Sequence, residues 1–214
     1  MGMDGAVIHV IDDDQGVRDS LVMLLDSAGM VSRAHADAES FLATTDLSRP
    51  GCVVADVRMP GMSGLDLLRY FNQQGLSIPL VVITGHAHVA MAVQALKEGA
   101  ADFIEKPFED TVLLNAVSLA LDKGAKAYLD RRRREGVKAR AEQLTPRERE
   151  VMDLVVLGLS NKAAAAQLAI SVRTVEIHRA RVMDKMAAES LSALVRMALD
   201  LEDMGSASPA AARA

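Results

Sequence analysis

The sequence has no tryptophan, two tyrosines and four phenylalanines in 214 residues, so aromatic rings cannot supply most of its core. It has a single cysteine, Cys52, which excludes an internal disulfide and fits a reducing cytoplasm. No apolar run approaches the roughly 20 residues needed to span a bilayer. The N-terminus shows no basic segment ahead of an apolar stretch, so it does not read as a secretion signal. A cytoplasmic protein with no membrane partner is the expectation. What is plentiful is aliphatic: half of the residues are hydrophobic and a quarter are charged, the proportions of a globular chain. The length suffices for two small domains, each with its own core.

The net charge of −5 hides an asymmetry. Residues 1–123 carry 8 Lys and Arg against 17 Asp and Glu, a net of −9. Residues 124–143 carry 7 against 3, and residues 144–200 carry 8 against 7. The N-terminal part would repel nucleic acid and attract cations, whereas the rest would not. Two domains are therefore expected: 5–122, joined through a charged, helical linker 123–143 to 144–201, with an Ala- and Ser-rich disordered tail at 202–214.

The first part alternates short Val/Ile-rich runs with helix-period segments. Strands are expected at Ala6–Ile11, weakly near Val31–Ala36, and at Cys52–Asp56, Leu80–Thr84 and Ala101–Glu105. Between them lie helical segments at Gln15–Ser27, Ala38–Thr44, Gly64–Gln74, Val89–Glu98 and Glu109–Leu121. Leu21, Leu24, Leu25 and Ala28 illustrate the i, i+3, i+4, i+7 recurrence of one apolar helix face. Gly29, Gly75 and Gly99 stand where left-handed caps would close three helices. Five strand–helix repeats with continuously apolar strands predict an α/β fold, a doubly wound, flavodoxin-like, five-stranded parallel sheet covered on both faces.

In such a sheet the ligand site lies at the carboxyl ends of the strands. Those ends carry Asp12, Asp13 and Asp14, then Asp56, Thr84 and, after the last strand, Lys106-Pro107. Clustered carboxylates repel unless a cation neutralises them, and a hard, oxygen-seeking ion such as Mg²⁺ suits them. A lysine and a hydroxyl alongside would hold the oxygens of a phosphoryl group. No Ser/His/Asp set and no metal-binding His pair accompanies the cluster, which excludes peptide and sugar hydrolysis. Asp14 reads as a helix N-cap, Cys52 as a small buried side chain, and His86 with His88 as a loop pair too sparse to bind metal.

Residues 5–122 closely resemble the CheY-like receiver domains of bacterial response regulators. The segments VIDDD, VVADVRMPGMSG, VVITGH and GAADFIEKPF occur in order and at the family's spacing. The resemblance implies that Asp56 is phosphorylated by a sensor histidine kinase. It implies Mg²⁺ bound by Asp12, Asp13, Asp56 and the Arg58 carbonyl, with Lys106 and Thr84 on the phosphoryl group. Phe103 would be the switch aromatic, Arg58 and His86 would tune the phosphoryl lifetime, and a cis bond would precede Pro107. The receiver would catalyse only its own phosphorylation and dephosphorylation, and would not be an enzyme otherwise.

The C-terminal part reads as four short helices. Thr145-Pro146-Arg147-Glu148 is an N-cap, a first-turn proline and a capping-box glutamate. Ser160-Asn161 opens a second helix of small residues, and Ile170-Ser171 turns into a third, Val172–Met186. A fourth runs from Ser190 to about Leu201. Val175, Val182, Met183 and Met186 form the buried stripe of the third helix. Arg173, Glu176, Ile177 and Ala180 then face outward, flanked by Arg179 and Arg181. Arginine can bond guanine, glutamate can accept from cytosine, and small apolar groups can touch a thymine methyl. Asn161, Lys162 and Lys185 would reach phosphates. Arg131–Arg134 reads as the solvated face of the linker.

LTPREREVMDLVVLGLSNKAAAAQLAISVRTVEIHRARVMDKM resembles the LuxR-type helix-turn-helix, with Arg173 and Thr174 at the start of its recognition helix. His178 falls where such helices use a packed or backbone-contacting residue. The whole chain is similar to the FixJ subgroup, although Ala87, His88 and Ala90 replace that subgroup's usual Gly, Asp and Pro. This resemblance implies promoter DNA and RNA polymerase as partners. It also implies a homodimer on phosphorylation through Val93, Lys97 and Phe103, and regulation, in the sense of activation, of transcription. A constitutive factor with a degenerate receiver is disfavoured by the intact set of Asp12, Asp13, Asp56, Thr84 and Lys106. A phosphate-sink protein whose second domain binds protein would lack salt-sensitive DNA binding.

Overall fold

The computed structural model describes residues 5–206. The chain divides into two compact units, one ending at Leu129 and the other beginning at Asp130.

The first unit is built from β1 (Val7–Ile11), α1 (Gln15–Ser27), β2 (Ser32–His35), α2 (Ala38–Thr44) and β3 (Gly51–Asp56). It continues through α3 (Gly64–Gln73), β4 (Leu80–Thr84), α4 (Val89–Lys97), β5 (Asp102–Glu105) and the first part of α5 (Asp110–Ala141), whose residues from Asp130 belong to the second unit. All four strand pairings are parallel, in the order β2-β1-β3-β4-β5. Strand direction and order agree with the doubly wound expectation, and the sheet is buried on both faces as its unbroken apolar runs require. Val53, Ala55, Leu80 and Val82 pack under α2 and α3 on one face. Ile8, Val10, Cys52, Val54, Val81 and Ile83 pack under α1 and α5 on the other. The strand period of two thus sorts neighbouring residues into separate cores.

Helix α5 differs from the expected segment. It does not end near Leu121 but runs unbroken to Ala141, so that most of the region expected as a helical linker, 123–143, continues the same helix. Its C-terminal turns bury Val137 and Ala141 in the core of the second unit, which makes that stretch part of a packed helix. Gly124 and Gly136, which flank the basic run, do not interrupt it.

The second unit adds α6 (Pro146–Val156), α7 (Asn161–Leu168), α8 (Val172–Lys185) and α9 (Leu191–Ser206). Thr145 and Glu148 form the expected reciprocal capping box, and Ser160 and Ser171 cap α7 and α8. Ala169 ends α7 in the left-handed region at φ 55°, which gives the tight turn into α8. Val151, Val155, Ala164, Val175, Val182, Met186 and Leu194 form its core. Residues 202–206 of the expected tail continue α9, which ends at Ser206; residues 207–214 of it lie outside the described residues.

Candidate functional site

The sheet reverses its winding between β1 and β3, and two carboxylates stand at the carboxyl ends of those strands. Asp12 directly follows β1 and is 2% exposed; Asp56 closes β3 and is 7% exposed. Buried carboxylates are costly unless compensated. Lys106, just after β5, compensates both: its Nζ donates to Asp12 Oδ2 and to Asp56 Oδ1, each at 2.7 Å. The other oxygens are also engaged. Asp12 Oδ1 accepts from the Asp14 amide at 2.9 Å, and Asp56 Oδ2 accepts from the Arg58 amide at 2.5 Å. Burial acts against the Lys106 charge, but the hydrogen bonds and charges of Asp12 and Asp56 outweigh it. The Lys106 pKa therefore lies above the usual lysine value.

Thr84 ends β4 fully buried, and its Oγ1 accepts from the His86 amide at 3.3 Å. Phe103 sits in β5 opposite Val82, partly buried against the α3 side of the core. Val93 and Lys97 are exposed on α4; with Val89 and Leu96 they leave an apolar strip uncovered in this unit. The Lys106–Pro107 peptide is cis. Asp14 caps α1 by accepting from the Val17 amide at 3.1 Å, the role read from the sequence. Cys52 is buried, and desolvation pushes its thiol pKa up to about 12, so it stays protonated. His86 and His88 are both exposed.

Among the described residues, no group of three or more carboxylate, histidine or cysteine side chains is placed to hold an ion. Asp13 is exposed, and Lys106 takes one oxygen from each buried carboxylate. The donor chemistry nevertheless fits Mg²⁺. Every acceptor at this edge is oxygen, and one ammonium offsets only one of two buried carboxylates.

Three residues of this site were not visible in the sequence. Arg18 Nη1 donates to the Asp12 carbonyl at 2.7 Å, reaching back from α1. Glu39 of α2 accepts from the Met62 amide at 3.1 Å and so tethers the loop after Asp56. Gly64 packs so tightly that a Cβ there would meet the Asp56 carbonyl at 2.5 Å. Arg18 and Gly64 lie six and eight residues from the aspartates they meet, whereas Glu39 reaches Met62 across the fold.

In the second unit, Arg173, Glu176, Ile177, Ala180 and Arg181 are exposed along one face of α8, while Val175, Val182 and Met186 are buried. Ile177 leaves 42% of its surface free. Arg173 pairs with Glu176 at 3.3 Å, a solvent-screened contact that an incoming base could displace. Thr174 is held at the helix start by Ser171. Lys162 is exposed, whereas Asn161 Oδ1 accepts from Arg179 at 3.0 Å and ties α7 to α8. His178 is half-buried, with its Nδ1 enclosed and unpartnered among the described residues. Lys185 departs from expectation. Its Nζ donates to buried Glu148 at 2.7 Å and to the Gln143 carbonyl at 3.1 Å, so its charge is committed inside the domain.

Of the basic run, Arg131 pairs with Glu135 at 3.7 Å and Arg133 with Asp200 at 3.1 Å; Arg132 and Arg134 are exposed. No helix among the described residues is long and apolar enough to cross a membrane.

Comparison with known proteins gives the family of each unit. Residues 8–118 match the response regulator receiver domain family, and residues 142–198 match the bacterial regulatory proteins of the luxR family. The chain is 49% identical over 197 residues to the transcriptional regulatory protein FixJ of Rhizobium meliloti (strain 1021), covering 92% of this chain and 97% of that one. It is 50% identical over 193 residues to FixJ of Azorhizobium caulinodans, covering 90% and 91%. Among solved structures it is similar to the response regulator StyR, with a TM-score of 0.80 at 38% identity over 91% of this chain and 98% of that one. Full-length FixJ from B. japonicum aligns with a TM-score of 0.53 at 44% identity, covering 93% and 98%.

Proposed function

The chain belongs to the two-component response regulators that join a receiver domain to a LuxR-type DNA-binding domain, and we propose that Asp56 is its phosphoacceptor and that phosphorylation controls its binding to promoter DNA. Its relatives are transcriptional regulators and not enzymes of metabolism. The observation that carries the reading is Lys106 held 2.7 Å from both Asp56 and Asp12 at the carboxyl edge of the sheet.

In the proposed transfer, an Asp56 carboxylate oxygen attacks the phosphorus of a phosphohistidine on a sensor kinase. The new P–O bond forms as the P–N bond breaks, and the imidazole leaves with the electron pair. Bound Mg²⁺ would neutralise charge on the phosphoryl oxygens, and Asp12, Asp13, Asp56 and the Arg58 carbonyl are the residues to hold it. Lys106 already contacts Asp56 and meets the added oxygens with a charge-assisted hydrogen bond. Thr84, buried at the next strand end, supplies a hydroxyl to another, and Phe103 fills the space it leaves. Asp12 and Asp13 would also serve hydrolysis of the acyl phosphate, in which water attacks phosphorus and the Asp56 carboxylate leaves, releasing inorganic phosphate.

The exposed strip on α4, with Phe103 beside it, supports receiver dimerisation through Val93 and Lys97. Two copies of α8 would then read half-sites about one DNA turn apart, through Arg173, Glu176, Ile177, Ala180 and Arg181, with Lys162 on phosphate. Arg179 and Asn161 contribute as a bonded pair, and Thr174 sits at the helix start beside the backbone. Lys185, engaged by Glu148, is left out of this set. Pairing also explains how a domain carrying only a small positive charge holds DNA, since two modules share one site. Recruitment of RNA polymerase in the cytoplasm completes the reading.

The test is sedimentation of the full chain with Mg²⁺, with and without beryllofluoride, an acyl-phosphate mimic. A monomer-to-dimer shift that Asp56→Asn removes is expected. An identical shift in Asp56→Asn would refute the proposed acceptor.

A further inference from the structure

A second concave site lies at the opposite end of the sheet from Asp56, where β1 and β3 begin. It is a cavity of about 140 Å³, close to the roughly 150 Å³ of an engineered apolar cavity that takes up benzene. Its inner wall is apolar and includes Phe41, which is fully buried, with Leu47 and Ile78. His9 lines it as well, and the rings of His9, His35 and Phe41 pack mutually at centroid distances of 5.1–5.3 Å. In a chain this poor in aromatics, two rings at one cavity, His9 and Phe41, backed by His35, form a surface suited to another ring, edge to face.

The mouth is basic. Arg33 and Arg49 both line the cavity and are exposed. Arg33 stands opposite His9 in the β1–β2 register, so both point to the same face of the sheet. Among the described residues neither guanidinium is ion-paired. Asp46 lies at the same mouth, where its carboxylate accepts from the Ser48 amide and hydroxyl. The balance at the rim is therefore one positive charge. His9 Nδ1 bonds His35 Nε2 at 3.0 Å, so the two imidazoles satisfy each other and add no charge.

We propose that this cavity binds a small aromatic monocarboxylate, with its ring against His9 and Phe41 and its carboxylate between Arg33 and Arg49. An inorganic anion would leave the apolar wall uncovered, and a neutral arene would leave the two guanidiniums unused. A planar carboxylate also matches the fork of an arginine better than a point anion does.

The experiment titrates the full chain with sodium benzoate, following the His9, His35 and Phe41 resonances by NMR. Saturable shifts at these rings are expected, with binding weakened roughly tenfold or more in Arg33→Gln/Arg49→Gln. Both arginines are exposed, so this variant keeps the fold, as an unchanged melting temperature would verify. Benzyl alcohol, which has the ring without the charge, is expected to bind at least about tenfold more weakly. Absence of saturable shifts would overturn the proposal. So would equal affinity in the double variant, or equal binding of benzyl alcohol.

Discussion

Lys185, on the exposed helix that would enter DNA, spends its charge on Glu148, the capping-box residue of α6, at 2.7 Å. Glu148 is 2% exposed, and the Lys185 hydrogen bond, followed by the Thr145 amide, brings its pKa down to about 2. One side chain thus closes a helix cap and joins the first and third helices of the DNA-binding domain.

Removing Lys185 is therefore expected to act on folding. Lys185→Met leaves a buried carboxylate without its cation, which costs about 3–5 kcal/mol, and calorimetry would show this as a lower Tm for the DNA-binding domain. The depressed Glu148 pKa adds stability above its ordinary value near 4.5, and that share is lost as pH falls toward 2. A Lys185→Met protein with unchanged Tm and weakened DNA binding would restore the phosphate-contact role.

Arg173 and Arg181 are expected to behave in the opposite way. Each is exposed and outside the core, so alanine there should leave stability within about 0.5 kcal/mol. Operator binding by the phosphorylated dimer should weaken by about 1–3 kcal/mol for a base-reading arginine, with loss of discrimination at one position. Lys162→Ala should instead weaken all sequences alike and reduce the salt dependence.

Gly64 gives a test of how closely the site is built. A Cβ at this position would lie 2.5 Å from the Asp56 carbonyl, which is backbone and cannot rotate away. Gly64→Ala is expected to destabilise the receiver by about 1–3 kcal/mol through overpacking and to slow acyl-phosphate formation from acetyl phosphate. Unchanged stability and rate would mean that the end of β3 tolerates displacement.

The histidine pair makes the receiver sensitive to mild acid. Desolvation first, then the charges of His35 and Arg33, lower the His9 pKa from 6.5 to about 4. His35 is lowered by its burial and by Arg33, with Asp37 opposing. Between pH 6.5 and 4 the unfolded chain takes up a proton that folded His9 refuses, so stability falls as pH drops through that window. Thermal melts of the receiver should show this slope, and His9→Phe should reduce it. An equal slope in both proteins would assign the effect elsewhere.

Alternating apolar runs, glycines after helices and the acidic strand ends were sufficient to specify the parallel sheet and to place Asp12, Asp56, Thr84 and Lys106 on one edge. These are local patterns, since side-chain period and cap chemistry are set by near neighbours. The strand direction then brings residues 94 positions apart, Asp12 and Lys106, into contact. The helical stripe of α8 was legible for the same reason, down to buried Val175, Val182 and Met186.

Tertiary structure alone decided where the charges go. Lys162 and Lys185 look alike along the chain, and only the approach of α6 to α8 turns Lys185 inward to Glu148. The linker read as helical, but its packing was hidden, because a basic, weakly amphipathic stretch carries no core signal until Val137 and Ala141 find the second domain's interior. His9 and His35, unremarkable in sequence, became a pair because β1 and β2 lie side by side in parallel register. Local propensity can choose an element, but a buried charge takes its partner from whatever the packed chain brings within hydrogen-bonding reach.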